Sequence, residues 1–263
     1  MVLNRVDLHC RIDGPVQAPW LVFSNALMTD LAVWDGQVAA FGPRYRILRY
    51  DQRGHGGSSV PRNDCTFDQL VDDLAGLLER FGVTEATLAG VSLGGVTALG
   101  LAARHPTRIA RVAICDCQAV STATGAAAWE ERIGVARAGG MAALVEPTIG
   151  RWFRPEFVSQ DPPALTRVRT MIAATPLDGF VRAARALQHY DFRPELATLH
   201  CPTACIVGAA DGALPAVVRA MAEACHGATF TEIGDSGHLP NIEQPARFNA
   251  ARSALLAVPP NRS

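Results

Sequence analysis

The chain has 263 residues, of which 49% are hydrophobic and 19% charged, a composition typical of a folded globular protein and not of a disordered one. Its formal net charge of -1 offers no broad positive field for binding nucleic acid or an anionic membrane. All 24 basic residues are arginines, so Schiff-base chemistry and a phosphate-binding P-loop, which both require a lysine, are excluded.

The seven cysteines are scattered along the chain. The closest pair, Cys115 and Cys117, lacks the two-residue spacing of zinc knuckles and redox motifs. We therefore expect free buried thiols in a reducing compartment, and neither a metal site nor a cofactor. The first residues lack the apolar core of a signal peptide, and no segment approaches the roughly 18 apolar residues of a membrane span. These features predict a cytoplasmic protein with no membrane partner.

Strand and helix patterns alternate along the first half of the chain. Short β-rich runs at 20–24 and 45–50 each end in a polar or glycine-rich loop. A helix is expected after Thr66, which forms a capping-box pattern with Gln69, and Gly82 is a plausible end for it. A strand at 86–91, a helix at 93–104 and a strand at 109–115 follow. This order predicts an α/β fold with a mostly parallel sheet and helices on both faces.

The alternation stops between residues 120 and 198. Helical periodicity at 130–138, 165–174 and 179–188 predicts a helical cap that lies over the functional edge of the sheet. Strand patterns return at 203–207 and 229–233 with a helix between them, and a last helix begins near Pro245. We therefore expect a core formed by residues 1–119 and 199–263, with residues 120–198 inserted as the cap.

The segment Gly90-Val-Ser92-Leu-Gly94 lies between a predicted strand and a predicted helix. Glycines on both sides of a serine allow the sharp turn of a nucleophile elbow, which presents the hydroxyl at the end of the strand. A bare Gly-x-Ser-x-Gly pattern also occurs in ordinary turns. The strand before it, the helix after it and suitable partners downstream favour Ser92 as a catalytic nucleophile.

A serine nucleophile needs a base, and the chain order with such an elbow is serine, acid, histidine. His238 follows the last predicted strand, and it is the histidine in the expected context. Asp211 follows the preceding strand and is the favoured acid. Asp116, which ends the strand after the elbow helix, stays open as an alternative acid, and Asp235 is a more distant one.

The tetrahedral intermediate of acyl transfer needs two backbone N–H donors. Leu93, directly after the nucleophile, is expected to supply one of them. The loop after the strand at 20–24 is expected to supply the other, with Ala26 as the best candidate.

The chain resembles the 3-oxoadipate enol-lactonase branch of the α/β-hydrolases over nearly its full length. The resemblance is carried by the Ser24-Asn25-Ala26 segment, by Asp51-Gln-Arg-Gly-His-Gly-Gly-Ser, by three short cap segments that begin at Trp129, Arg137 and Arg151, and by His238-Leu-Pro-Asn-Ile-Glu-Gln-Pro. Three places in the chain depart from the family pattern. Cys115-Asp116-Cys117 replaces Cys-Asn-Thr, Met28 stands where glycine is common, and Gly-Ala-Leu-Pro follows Asp211.

The resemblance implies an α/β-hydrolase fold and a small enol-lactone substrate that carries a carboxylate. It also implies that Asn25, Arg132, Arg151 and Trp152 contact the substrate, since a guanidinium can bind a carboxylate through two hydrogen bonds. Another hydrolase activity on the same scaffold stays open: a carboxylesterase, an amide or C–C bond hydrolase, or a haloperoxidase-like enzyme. A binding module without catalysis is a third alternative. The presence of a serine, a histidine and an acid in the expected order argues against it.

Overall fold

A seven-stranded sheet forms the centre of the structure, a computed structural model that describes residues 6–258. In chain order the strands are β1 (Cys10–Asp13), β2 (Trp20–Ser24), β3 (Arg46–Tyr50), β4 (Ala86–Val91), β5 (Ile109–Cys115), β6 (Thr203–Gly208) and β7 (Thr229–Ile233). Across the sheet their order is β1-β3-β2-β4-β5-β6-β7. β1 pairs antiparallel with β3, and every other neighbouring pair in this sheet is parallel. The predicted parallel sheet is thus confirmed, and β1 is an addition to it.

Helices connect the strands and cover both faces of the sheet. In chain order they are α1 (Asp35–Phe41), α2 (Phe67–Arg80), α3 (Leu93–Arg104), α4 (Ala123–Gly139), α5 (Val145–Trp152), α6 (Pro155–Gln160), α7 (Pro163–Ala174), α8 (Leu177–Ala186), α9 (Arg193–Leu196), α10 (Leu214–Ala224), α11 (Pro240–Glu243) and α12 (Pro245–Ala257). α4 to α9 follow one another between β5 and β6, within the segment that we propose as the cap. The first and last five residues of the proposed core lie outside the described residues.

The ends of α2 show how local sequence sets the helix boundaries. Thr66 accepts a hydrogen bond from the backbone N–H of Gln69, and the Gln69 side chain accepts one from the backbone N–H of Thr66. This reciprocal pair is the predicted capping box, and it satisfies two N–H groups that have no helical partner. Past the other end of the helix, Gly82 adopts φ +64°, a left-handed conformation that glycine accepts without strain.

The sheet also decides where the functional side chains lie. β4 and β6 are buried along their whole length because helices cover both faces. In parallel strands the carboxyl ends meet at one edge, and in open α/β sheets that edge carries the ligand site. Ser92 follows β4, Asp116 follows β5, and the loops after β6 and β7 carry Asp211 and His238. Of the helices in residues 6–258, none is long and apolar enough to cross a bilayer.

Candidate active site

Ser92 lies at the turn between β4 and α3 in a backbone conformation that few residues adopt. Its φ is 56° and its ψ is -120°. The turn is so tight that a Cβ at Gly90 would lie 2.0 Å from the carbonyl oxygen of Gly94, and a Cβ at Gly94 would lie 2.1 Å from that of Ser24. Only glycine fits at these two positions. The predicted elbow geometry is therefore present, and its strain is held by the surrounding sheet.

Ser92, His238 and Asp211 form a continuous chain of hydrogen bonds. The Oγ of Ser92 lies 2.9 Å from Nε2 of His238, and Nδ1 of the same ring lies 2.7 Å from Oδ2 of Asp211. Since an ionised carboxylate only accepts, Nδ1 carries a proton and Nε2 of the neutral ring is free to accept the serine proton. The side chains of His238 and Asp211 are 13% and 11% exposed, so the chain is sheltered but open to a small molecule.

The loop that carries His238 is fixed from two sides. The backbone N–H of His238 donates to the carbonyl of Trp152 at 2.7 Å, and the indole of Trp152 stacks on the imidazole with ring centroids 5.7 Å apart. The neighbouring Gly237 N–H donates to Glu243 at 2.8 Å. Glu243 also accepts hydrogen bonds from the backbone N–H and Nε of Arg154, at 3.3 Å and 3.2 Å. These contacts join the end of α5 to the histidine loop.

The two candidate N–H donors follow β2 and β4, which are neighbouring parallel strands. Leu93 is the first residue of α3, so its N–H has no carbonyl partner within the helix. Ala26 is buried two residues past β2. Its neighbour Asn25 donates to the carbonyl of Tyr50 at 2.7 Å and accepts from Nε1 of Trp34 at 2.9 Å. The structure thus turns the Asn25 side chain into the core and away from the predicted substrate contact. Through these two hydrogen bonds the Asn25 side chain supports the loop that holds Ala26.

A pocket of about 180 Å³ opens above Ser92. This is smaller than the roughly 300–1,000 Å³ of pockets for drug-sized ligands. Side chains from α4, α5, the start of α10 and the loop after β2 complete its wall: Leu27, Trp129, Arg132, Arg151, Trp152 and Leu214. The pocket therefore fits a small molecule and presents both polar and aromatic groups to it.

Two arginines give this pocket a positive charge. The guanidinium of Arg132 lies 4.4 Å from the ring centre of Trp129. Neither Arg132 nor Arg151 forms a salt bridge with a carboxylate of residues 6–258. Burial, together with the neighbouring Arg132, lowers the pKa of Arg151 to about 10 even though Asp211 acts to raise it, so Arg151 is still charged at neutral pH. Two cations that face one pocket without a salt bridge to a carboxylate of the described residues favour an anionic ligand.

Asp116 lies near Asp211 and His238 but, among residues 6–258, forms no hydrogen bond with the imidazole. Oδ1 of Asp116 accepts the N–H of Gly208 at 2.8 Å, and the direct contact with Nδ1 of His238 is made by Asp211. This geometry favours Asp211 over Asp116 as the acid. A ring nitrogen of His238 and carboxylate oxygens of Asp116 and Asp211 lie within 4.8 Å of one another. Hydrogen bonds engage Nδ1 of His238, Oδ2 of Asp211 and Oδ1 of Asp116 within this group.

Comparison with known proteins agrees with this geometry. The sequence profile of the Alpha/beta hydrolase family matches residues 19–251, and the chain belongs to that family. Within it, the chain is 36% identical to 3-oxoadipate enol-lactonase 1 of Acinetobacter baylyi over 251 residues, which cover 94% of this chain and 93% of the relative. The resemblance found from the motifs is thereby confirmed.

Solved structures show the same likeness. The enol-lactonase from Burkholderia xenovorans superimposes with a TM-score of 0.92 and 38% identity, covering 98% of this chain and 99% of that one. A thermophilic esterase from Thermogutta terrifontis, solved with malate bound, superimposes with a TM-score of 0.89 and 28% identity, covering 95% and 93%. The fold is therefore shared by enzymes that act on lactones and on esters.

Three pocket residues escaped the site prediction. Trp129 contributed to the family resemblance but not to the predicted site, and Leu27 and Leu214 were not singled out at all. The signal for Trp129 was present, because Arg132 follows it by three residues and helical residues three apart share a face. Nothing in the local sequence distinguishes the two leucines from core residues.

Proposed function

We propose that this protein is a serine hydrolase that opens a small enol-lactone bearing a carboxylate. One observation carries the proposal: a hydrogen-bonded serine, histidine and aspartate line a small pocket together with two arginines that form no salt bridge with a carboxylate of residues 6–258. The similarity to 3-oxoadipate enol-lactonases supports the same substrate class.

In this mechanism His238 takes the proton of Ser92 as the serine oxygen attacks the lactone carbonyl. Asp211 holds the imidazole in the required tautomer and stabilises its positive charge. The N–H groups of Ala26 and Leu93 stabilise the negative oxygen of the tetrahedral intermediate. Collapse breaks the ring C–O bond and leaves an ester on Ser92, and His238 returns the proton to the enol oxygen.

The enol that leaves the carbonyl stays attached to the acyl-enzyme because it was part of the ring. Its conversion to the ketone removes the nucleophile that could close the ring again. His238 then takes a proton from water, the resulting hydroxide attacks the ester, and the acid is released as Ser92 recovers its proton. The sum is one lactone and one water giving one keto acid, without an external cofactor.

The arginines give this site its preference for a charged substrate. Arg151, which lies near Asp211 and Arg132, is positioned to bind the carboxylate of the lactone, and Arg132 is held over Trp129 at the same wall. Trp152 forms an apolar surface beside the reacting ring and orients His238. Because the esterase fold is so similar, the catalytic residues alone do not separate lactones from esters.

The experiment follows the loss of ultraviolet absorbance of an enol-lactone that carries a carboxylate, beside a neutral lactone and a neutral aryl ester. The proposal predicts the highest kcat/KM on the charged lactone. If the aryl ester is turned over faster than both lactones, the protein is a carboxylesterase and the lactonase proposal is wrong.

A further inference from the structure

Asp116 is a buried carboxyl group that the mechanism above does not use. It follows β5 with φ +47° and is 1% exposed. Its Oδ1 accepts the N–H of Gly208 at 2.8 Å, whereas its buried Oδ2 accepts no hydrogen bond from any group of residues 6–258. A buried charged oxygen without a donor is costly, which indicates that a proton is bound there.

Asp211 is the neighbouring carboxylate that can receive that proton. Oxygen atoms of Asp116 and Asp211 and a ring nitrogen of His238 lie within 4.8 Å of one another. Two adjacent carboxylates without a shared cation do not both ionise, and one of them keeps its proton. Since Asp211 faces the imidazole and retains 11% exposure, it is the one that carries the negative charge.

No cation in the described residues competes for Asp116. On its own strand and just past it lie the thiols of Cys115 and Cys117, whose pKa values burial raises, so both are neutral. The loops after β6 and β7 contribute Asp211 and His238. Two arginines come near the cluster but not to Asp116 itself: Arg151 of the cap acts on Asp211, and Arg252 of α12 acts on Cys115.

We propose that Asp116 is a positioning residue that stays protonated in the working enzyme and donates a hydrogen bond to Asp211. The bond fixes the Asp211 carboxylate so that Oδ2 faces Nδ1 of His238. The proposal rests on the role of Asp211 given under the proposed function. In agreement with it, burial and then the charge of Asp211 raise the pKa of Asp116 well above its usual range.

The consequence is a dependence on pH that an amide would remove. As the pH rises through the raised pKa of Asp116, the residue loses its proton, and a second negative charge then faces Asp211 and disturbs the pair that it forms with His238. In Asp116→Asn the amide oxygen can still accept from Gly208 and the NH₂ group can donate to Asp211, with no proton to lose. In Asp116→Gly both contacts are lost, while the φ of +47° is still allowed.

The test compares wild type, Asp116→Asn and Asp116→Gly on a neutral aryl ester across neutral and alkaline pH, so that it does not depend on the lactone. We expect Asp116→Asn to keep kcat within about threefold at neutral pH and to lack the loss of kcat that wild type shows as pH rises through the raised pKa of Asp116. Asp116→Gly should lose about tenfold or more in kcat with KM unchanged, because the residue does not touch the substrate. Superimposable pH profiles of wild type and Asp116→Asn would overturn the proposal.

An infrared difference spectrum of the resting protein gives a readout that needs no activity. Wild type minus Asp116→Asn should show the carbonyl stretch of a protonated carboxylic acid at neutral pH. The other carboxyls whose pKa values burial raises, Asp30, Asp73 and Glu243, are common to both proteins and cancel. Absence of the band would refute the protonated state of Asp116 even in an active enzyme. If the band is present but the protein opens no lactone, the proposed substrate is wrong, and the protonated state of Asp116 is still supported.

Discussion

Replacing Arg151 with methionine removes one positive charge from the pocket and keeps a side chain of similar length. Arg151 lies at the end of α5, with Arg132 as its neighbouring cation and no carboxylate in a salt bridge with it among residues 6–258. In the proposed complex its partner is the carboxylate of the substrate. The variant should therefore bind a charged lactone less well, and a neutral one almost equally well.

The size of the effect follows from the surroundings of Arg151. A hydrogen bond to a charged group is worth about 1.5–3 kcal/mol, which corresponds to a change of about 10- to 150-fold. The pocket is open to water, and loss of Arg151 also relieves its repulsion with Arg132. We therefore expect the lower part of that range, a decrease of about 10- to 30-fold in kcat/KM. It should appear mainly as a higher KM, because the carboxylate is bound equally in the ground state and the transition state.

Initial rates measured by ultraviolet absorbance on a charged and a neutral lactone separate this effect from damage to the catalytic residues. The neutral lactone should change by less than about threefold. Arg137→Met, at an exposed position of α4, is the matched control and should leave both rates unchanged. Equal losses of the variant on both lactones would refute a role for Arg151 in binding the carboxylate.

Three further predictions concern the residues around the histidine. Asp211→Asn should lower kcat on an aryl ester by about 10³- to 10⁴-fold because the imidazole takes the wrong tautomer, while kcat of Asp116→Asn stays near wild type. A larger loss in Asp116→Asn than in Asp211→Asn would make Asp116 the acid. In Glu243→Gln the Gly237 N–H loses a charged acceptor. The free energy of unfolding measured in urea should therefore fall by about 1–2 kcal/mol, and kcat should fall by more than KM changes. An unchanged urea midpoint would contradict this. Between the ordinary pKa of aspartate and the raised pKa of Asp116, the folded protein holds a proton that the unfolded chain has lost. Wild type should therefore lose stability relative to Asp116→Asn by about 1.4 kcal/mol per pH unit as pH rises, and parallel stability curves would count against a protonated Asp116.

Most of the sheet could be predicted because its strands are short apolar runs that end at glycine, proline or polar residues. The strands β4 and β5 and the helix α3 begin and end where the pattern placed them. β1 was missed because it has only four residues, of which the two central ones, Arg11 and Ile12, are exposed. An edge strand of this kind lacks the apolar pattern from which strands are predicted.

Ser92 could be predicted as the nucleophile because the sharp turn after β4 requires glycine on both sides of the serine. Those glycines can be seen in the sequence. Side-chain direction was harder to infer. Asn25 matches the family segment, yet Tyr50 and Trp34 hold its amide inside the core. The contact between Arg154 and Glu243 joins positions 89 residues apart, and no local pattern indicates such a pair.

The most direct test of the proposed function is the rate at which wild type and Ser92→Ala consume an enol-lactone that carries a carboxylate. Wild type should reach a kcat/KM of at least about 10⁴ M⁻¹s⁻¹ and exceed the matching neutral lactone by about tenfold or more. Ser92→Ala should retain about one part in 10⁶ of kcat, since the nucleophile is lost while the fold is kept. Comparable rates for the two proteins, or turnover of aryl esters alone, would contradict the account.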